Sequence, residues 1–142
     1  MLNSLKAISI GVITILILGL VNQLMLIMAA VGYNSLIEIS PAFRPWSPLF
    51  TYIVGGLGYF LVMSSAGLVT AMASEKHPYK HAVIAAITGS SISLYLSLQE
   101  EIFTLLALIF MVLGIGFALF GCWLRQKYEQ KNPKLNLSLQ KD

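Results

Sequence analysis

The chain alternates between four long uncharged stretches and short segments that hold all of its charged residues. No Asp, Glu, Lys or Arg occurs within residues 7–31, 47–74, 82–98 or 102–124. Each stretch approaches the roughly 20 residues that a helix needs to cross the hydrocarbon core of a bilayer. Because a chain in lipid must pair its own backbone groups, the pattern predicts four transmembrane helices.

Prolines set the expected helix boundaries. Pro41 and Pro45 preclude a continuous helix through the outer loop, 32–46. Ser47 is the expected N-cap of the second helix, and Pro78 can open the third. We expect a single membrane domain over 1–131 and a polar cytoplasmic tail over 132–142, with helices at 5–31, 48–74, 78–97 and 98–131. The predicted fold class is an all-α integral membrane four-helix bundle with short loops.

The distribution of Lys and Arg predicts the orientation of the helices. If both termini are cytoplasmic, the inner segments hold every Lys and Arg except Arg44 of the outer loop. Membrane proteins carry their excess of basic residues on the cytoplasmic side. We therefore expect a multi-pass protein of the inner (cytoplasmic) cell membrane, N-in and C-in. A cleaved signal peptide is the alternative for the first stretch, but its apolar run is longer than a typical h-region.

Composition narrows the class of protein further. Hydrophobic residues make up 57% of the chain and charged residues only 11%, and the mean hydropathy is +0.79. Soluble domains are about 25% charged, so a soluble enzyme and a disordered chain are both excluded. The net charge of +3 lies on the inner segments, where it faces anionic lipid. We expect the lipid bilayer as a partner and no nucleic acid.

Small residues recur at helical spacing in three of the predicted helices. Spacings of three and four place them on one helix face, and such faces allow helices to pack closely in lipid. The predicted packing or interface residues are Ala66 and Thr70 in the second helix, Ala82, Ala86, Gly89 and Ser93 in the third, and Gly114, Ala118 and Gly121 in the fourth. The first helix is poorest in small residues, so we expect it to have the most lipid contact.

A second group of side chains is polar and lies within the predicted spans. Its members are candidates for a polar lining: Asn22, Gln23, Thr88, Ser91 and Tyr95. Counting along the helices at about 1.5 Å per residue puts Asn22 level with Ser91 and Ser93 of the third helix, where it can form hydrogen bonds. The alternative is that Asn22 and Gln23 reach the headgroups at the outer interface. For the third helix, simple packing with bonds to its own backbone is the alternative role.

Chemistry that needs charged or metal-binding groups has little support. No Asp, Glu, Lys, Arg or His lies within the four stretches, which argues against an ion-coupled carrier. His77 and His81 stand four residues apart, but a metal site needs more ligands, so we expect neither a metal nor another cofactor. Cys122 is the only cysteine, and packing is its expected role. No His lies at the expected depth of the serines, so a serine hydrolase has no visible base.

The hairpin between the second and third helices resembles a known class of proteins. Residues 67–89 read GLVTAMASEKHPYKHAVIAAITG, a Gly- and Ala-rich helix, a short basic loop and a Pro-x-x-His-Ala motif. Pro78, His81 and Ala82 match this motif in small bacterial four-span membrane proteins of unknown function. The resemblance implies an inner-membrane protein and supplies no active site.

Three functions are compatible with this pattern. The first is a non-enzymatic membrane protein that acts by helix packing, as an accessory or assembly subunit of a membrane complex or as a homo-oligomer. Its partners are other membrane protein chains or copies of itself. The second is a small transporter or channel for a neutral or apolar solute. The third is an immunity-type protein that binds a membrane-active toxin, an analogy that rests on size alone.

Overall fold

The structure is a computed structural model that describes residues 2–74, 76–97 and 105–131. It contains four α-helices and a 3₁₀ helix between the first two. They are α1 (Leu2–Ile39), the 3₁₀ helix (Pro41–Trp46), α2 (Ser47–Ala73), α3 (Pro78–Ser97) and α4 (Leu105–Lys131). The expected start of the fourth helix, at 98, and the expected tail, 132–142, lie outside the described residues.

Three helical segments are long and apolar enough to cross a membrane. They are Asn3–Ile39, Pro41–Ala73 and Leu108–Lys131. The helix α3 does not join them, because its 20 residues include several serines and begin with a polar turn. The protein is therefore an all-helical membrane protein with three candidate spans among the residues that the structure describes, one fewer than the uncharged stretches predict.

The first helix is longer than expected. It runs through Gly32, where we expected it to end, and stops only at Ile39. The next residue, Ser40, is extended, with φ −140° and ψ 96°, because a residue before proline is driven away from helical geometry. The connection between α1 and α2 is thus shortened to Ser40 and the 3₁₀ helix. Pro41 takes the first position of that helix, where its missing N–H costs nothing.

The end of the bundle at the α1–α2 connection is fixed by aromatic contacts. The ring of Tyr33 stacks on Phe50 with 4.3 Å between centroids, and its hydroxyl donates to the Phe43 carbonyl at 2.8 Å. The expectation that Ser47 caps α2 is wrong. Trp46 takes the cap position and Ser47 is already helical, while Pro48 does lie in the first turn.

The helices alternate in direction along the bundle. Gly11 near the start of α1 faces Thr70 near the end of α2, and Asn22 faces Gly58, so α1 and α2 are antiparallel. Gly11 also faces Ala85 of α3. The helices follow one another around the bundle in the order α1, α2, α4, α3. Within the described ranges, no Cα atom of α1 comes within 8 Å of a Cα atom of α4.

The backbones of α2 and α4 come into direct contact. A Cβ atom on Gly67 would overlap the carbonyl of Ala118, and one on Gly121 would overlap the carbonyl of Ser64. Only glycine has no side chain to prevent this approach. Small residues at a helix interface therefore serve here to pack helices of the same chain.

The small residues singled out in the sequence line the inside of the bundle. Ala66, Ala82, Ala86 and Ala118 are each 1% exposed and Thr70 is fully buried. Gly89, Gly114 and Gly121 are also buried, while Ser93 is half-buried. The window of α1 that best fits a span is only 11% buried, against 33% for α2 and 22% for α4. The first helix is thus the most exposed of the three.

Two clusters form the core. The larger contains Ile15, Met63, Ala66, Ala86 and Ala118. The smaller joins Ala71, Ala82 and Cys122, and the thiol of Cys122 is completely buried. Since this is the only cysteine of the chain, its chemical labelling reports opening of the bundle.

We predict that Gly67→Ala loosens the bundle. The added methyl group overlaps the Ala118 carbonyl, and overpacking of this kind costs about 1–3 kcal/mol. Labelling of Cys122 by a maleimide in mild detergent should therefore become faster.

The matched control is Gly56→Ala in the same helix, because a Cβ atom there meets nothing within 4 Å. This variant should label at the unchanged rate. Equal acceleration by both substitutions would contradict the direct α2–α4 contact.

Candidate functional site

A cavity of about 350 Å³ lies among the four helices. This volume is at the lower end of the range for small-molecule pockets, about 300–1,000 Å³. All four helices contribute to its wall. The lining residues are Ile15, Leu16, Gly19, Leu20, Asn22 and Gln23 of α1, Tyr59, Val62 and Met63 of α2, Ser90 and Ser93 of α3, and Phe110 and Met111 of α4.

The cavity lies well away from the ends of the first two helices. Tyr59 stands 12 residues after Ser47, the first residue of α2, or about 18 Å along the axis. Asn22 lies near the middle of the 38-residue α1. These segments are apolar enough to span a membrane, so the cavity is at a depth where water is scarce.

Five of the lining side chains are polar and uncharged. Two are the amides Asn22 and Gln23, and three are the hydroxyls Tyr59, Ser90 and Ser93. No lining residue is charged, so the cavity offers hydrogen bonds without a counter-charge.

Glycines position two of these polar groups. The Asn22 side chain rests on α2 where Gly58 leaves room for it. The Tyr59 hydroxyl lies over Gly114 of α4 and donates to the Phe110 carbonyl at 2.8 Å. The rings of Tyr59 and Phe110 meet edge to face, with 5.7 Å between centroids. Tyr59 thereby ties α4 to the wall of the cavity.

The Ser90 hydroxyl is less well paired than that of Tyr59. Its Oγ atom is buried and has no hydrogen bond of good geometry within the described ranges, although it lies close enough to the Tyr59 side chain to interact with it. The amides of Asn22 and Gln23 also line this space, and Asn22 is half-buried while Gln23 is exposed. Leaving one buried polar group unpaired costs on the order of 1–3 kcal/mol. A molecule in the cavity that pairs with these groups would recover that free energy.

The structure separates the predicted polar lining into two groups. Asn22 and Gln23 line the cavity together with Ser93, which we had assigned to packing. Thr88, Ser91 and Tyr95 are exposed and lie outside it. The two sets of α3 residues are on different faces, because neighbouring positions of a helix are about 100° apart.

Sequence reasoning missed Ser90 and Tyr59. A signal for Ser90 was present, since it stands four residues after Ala86 and three before Ser93. That spacing places it on the same face as the small residues. Tyr59 had no comparable signal, because an aromatic residue in an apolar span is ordinary.

A serine and a histidine meet at the opposite end of the bundle. The Oγ atom of Ser74 lies 2.6 Å from Nδ1 of His81 and 2.9 Å from the Lys76 carbonyl oxygen. We expected no histidine at the depth of the serines, and the contact of His81 with Ser74 is an exception to that expectation. The cause is the turn before α3, where His77 adopts a positive φ of 58° and its carbonyl accepts from the His81 backbone N–H at 3.3 Å.

The hydrogen-bond pattern makes this pair a structural contact. A carbonyl can only accept, so both contacts are satisfied together when Ser74 donates to Lys76 and His81 Nδ1–H donates to Ser74. In that arrangement Nδ1 has no lone pair with which to remove the hydroxyl proton. The pair closes the α2–α3 turn.

Within the described ranges, His77 and His81 do not belong to a group of three possible metal ligands. His77 is exposed and His81 contacts Ser74. In the part of the chain that the structure describes, no three His, Cys, Asp or Glu side chains come together as metal ligands.

Comparisons with family models, with curated proteins and with solved structures find no match. The resemblance of the Pro78–Ala82 motif to small bacterial four-span proteins stays a prediction.

We predict that Ser74 and His81 stabilise the turn cooperatively. Ser74→Ala and His81→Leu should each destabilise the bundle, and the double variant should recover about 0.5–1.5 kcal/mol of the summed loss. Protection of Cys122 from labelling measures all three variants.

Thr51→Ala provides the control, because the Thr51 hydroxyl bonds to the Ser47 carbonyl of its own helix at 3.1 Å. Its effect should add to that of His81→Leu. Additive effects of Ser74→Ala and His81→Leu would show that the two side chains do not interact.

Proposed function

We propose that the chain is a non-enzymatic integral membrane protein that binds a neutral small molecule among its helices. The observation that carries this proposal is the group of uncharged polar side chains around the cavity. The Ser90 hydroxyl, which is buried without a hydrogen bond of good geometry in the described ranges, and the Asn22 and Gln23 amides face one space, where a bound molecule or water can pair with them. Polar groups at this depth are expensive and typically mark a functional site.

The uncharged lining favours a neutral molecule. An anion or a cation in the cavity would lose its hydration without gaining an opposite charge, a cost of several kcal/mol or more. A small carrier or channel for a neutral or apolar solute is the activity most consistent with this lining. The uncharged stretches of the sequence also argue against coupling to an ion gradient.

We further propose four spans, with both termini on the cytoplasmic side of the inner membrane. Two observations support α3 as a span. The chain reverses direction at each connection, and α3 packs against all three other helices. The concentration of Lys and Arg in the inner segments supports the orientation.

The small-residue faces that suggested association with other membrane chains pack against helices of the same chain. They therefore give little support to a partner protein. The exposed aliphatic surface of α1 is equally suited to lipid. The accessory-subunit and immunity-type functions therefore stay predictions from the sequence.

We predict that a neutral compound co-purifies with the protein and depends on Ser90. Ser90→Leu fills the cavity with a branched apolar side chain and removes the hydroxyl. Organic extraction of the purified variants followed by mass spectrometry should find this compound reduced about tenfold or more.

Ser91→Leu is the matched control, because Ser91 is exposed and lies outside the cavity. It should retain the compound at the wild-type level. Equal content in the wild-type protein and in Ser90→Leu would exclude the cavity as the binding site.

We predict an alternating pattern of surface labelling for the proposed topology. In a Cys122→Ala background, cysteines at Ser40 and Gln99 should react with an impermeant maleimide in intact cells. Cysteines at Lys76 and Lys131 should react only after the membrane is permeabilised. Labelling of Gln99→Cys only after permeabilisation would mean that α3 does not cross.

A further inference from the structure

We infer that the cavity takes a neutral amphiphile from the membrane itself. The ligand would carry hydroxyl or carbonyl oxygens at one end and an aliphatic chain at the other. This inference rests on the proposed function and names the class of molecule that the cavity accepts.

The polar groups of the cavity are unequal in depth. The Ser90 Oγ atom is fully buried, and Asn22 is half-buried against Gly58. A hydroxyl both donates and accepts, and an amide offers two donors and an acceptor. A ligand that matches these side chains has an uncharged head group with oxygen atoms. The oxygen atoms accept hydrogen bonds from both side chains, and any hydroxyl groups of the head also donate hydrogen bonds to them.

The apolar part of the wall suits an aliphatic chain. Ile15, Leu16, Val62, Met63 and Met111 surround the polar groups. Methionine side chains adapt their shape to a flexible apolar ligand.

Two apolar lining residues of the cavity also lie at the surface of the bundle. Leu20 and Phe110 are 64% and 42% exposed, and both belong to segments that are apolar enough to span a membrane. An aliphatic chain that leaves the cavity past either side chain reaches apolar surface, so we expect the ligand to enter from the bilayer.

A matched series of ten-carbon probes tests this inference. Decane has no head, 1-monodecanoylglycerol has a neutral head with hydroxyl and ester oxygens, and decanoate has a charged head. Binding to the full-length protein in nanodiscs is measured by native mass spectrometry. We expect 1-monodecanoylglycerol to bind at one per chain and about tenfold or more tighter than either of the other probes.

The Ser90 hydroxyl is tested separately by Ser90→Ala. This variant removes one hydrogen-bonding group without filling the cavity, so it should weaken binding of 1-monodecanoylglycerol about threefold to tenfold and leave binding of decane unchanged. Ser91→Ala should alter neither affinity. The labelling rate of Cys122 verifies that each variant is folded.

The outcomes separate this inference from the proposed function. The inference of an amphiphilic ligand would be overturned if decane bound as tightly as 1-monodecanoylglycerol. It would also be overturned if Ser90→Ala and Ser91→Ala had equal effects on binding. If a co-purifying neutral compound is nevertheless lost from Ser90→Leu, the cavity still binds a small molecule, but one of another class. If 1-monodecanoylglycerol is not preferred and no compound is lost from Ser90→Leu, both proposals fail.

Discussion

The direct contact between the backbones of α2 and α4 is the constraint on which the rest of the bundle depends. Gly67 and Gly121 admit the opposite carbonyl groups, so the two helices touch without intervening side chains. The other two helices pack against this pair. The helix α1 packs against α2, and α3 packs against both α2 and α4. Lipid supplies no hydrophobic drive between helices, so this close packing is a main source of cohesion.

The same constraint explains where the cavity lies. Around Gly67 and Gly121 the cross-section of the bundle is filled by backbone and small side chains. Towards the end that holds the α1–α2 connection, the large side chains of Tyr59, Met63 and Phe110 occupy the space between helices. Tyr59 and Met63 lie against α4 at Gly114, and the space that they leave beside α1 and α3 is the cavity. The cavity therefore forms where the side chains between the helices change from small to large, and the polar groups lie around it.

The sequence predicted the helices well and the site only in part, for physical reasons. Charge-free stretches and prolines locate helices because both act locally, and α3 spans the expected 78–97. The end of α1 was missed because Gly32 does not terminate a helix when no proline follows until Pro41. The packing face of α3 was recognised because its small residues recur every three or four positions. That spacing does not reveal which neighbouring helix covers the face. The rotation of Ser90 towards the cavity and of Ser91 away from it depends on that neighbour.

The great length of α1 has a consequence for the membrane around it. Its 38 residues extend about 57 Å, well beyond a hydrocarbon core of about 30 Å. A helix that exceeds the bilayer thickness tilts or projects into the headgroups, and the balance shifts with lipid composition. Since α1 supplies Ile15, Leu16, Gly19, Leu20, Asn22 and Gln23 to the wall of the cavity, a change in its tilt would change the shape of that wall. We therefore expect bilayer thickness to act on the cavity.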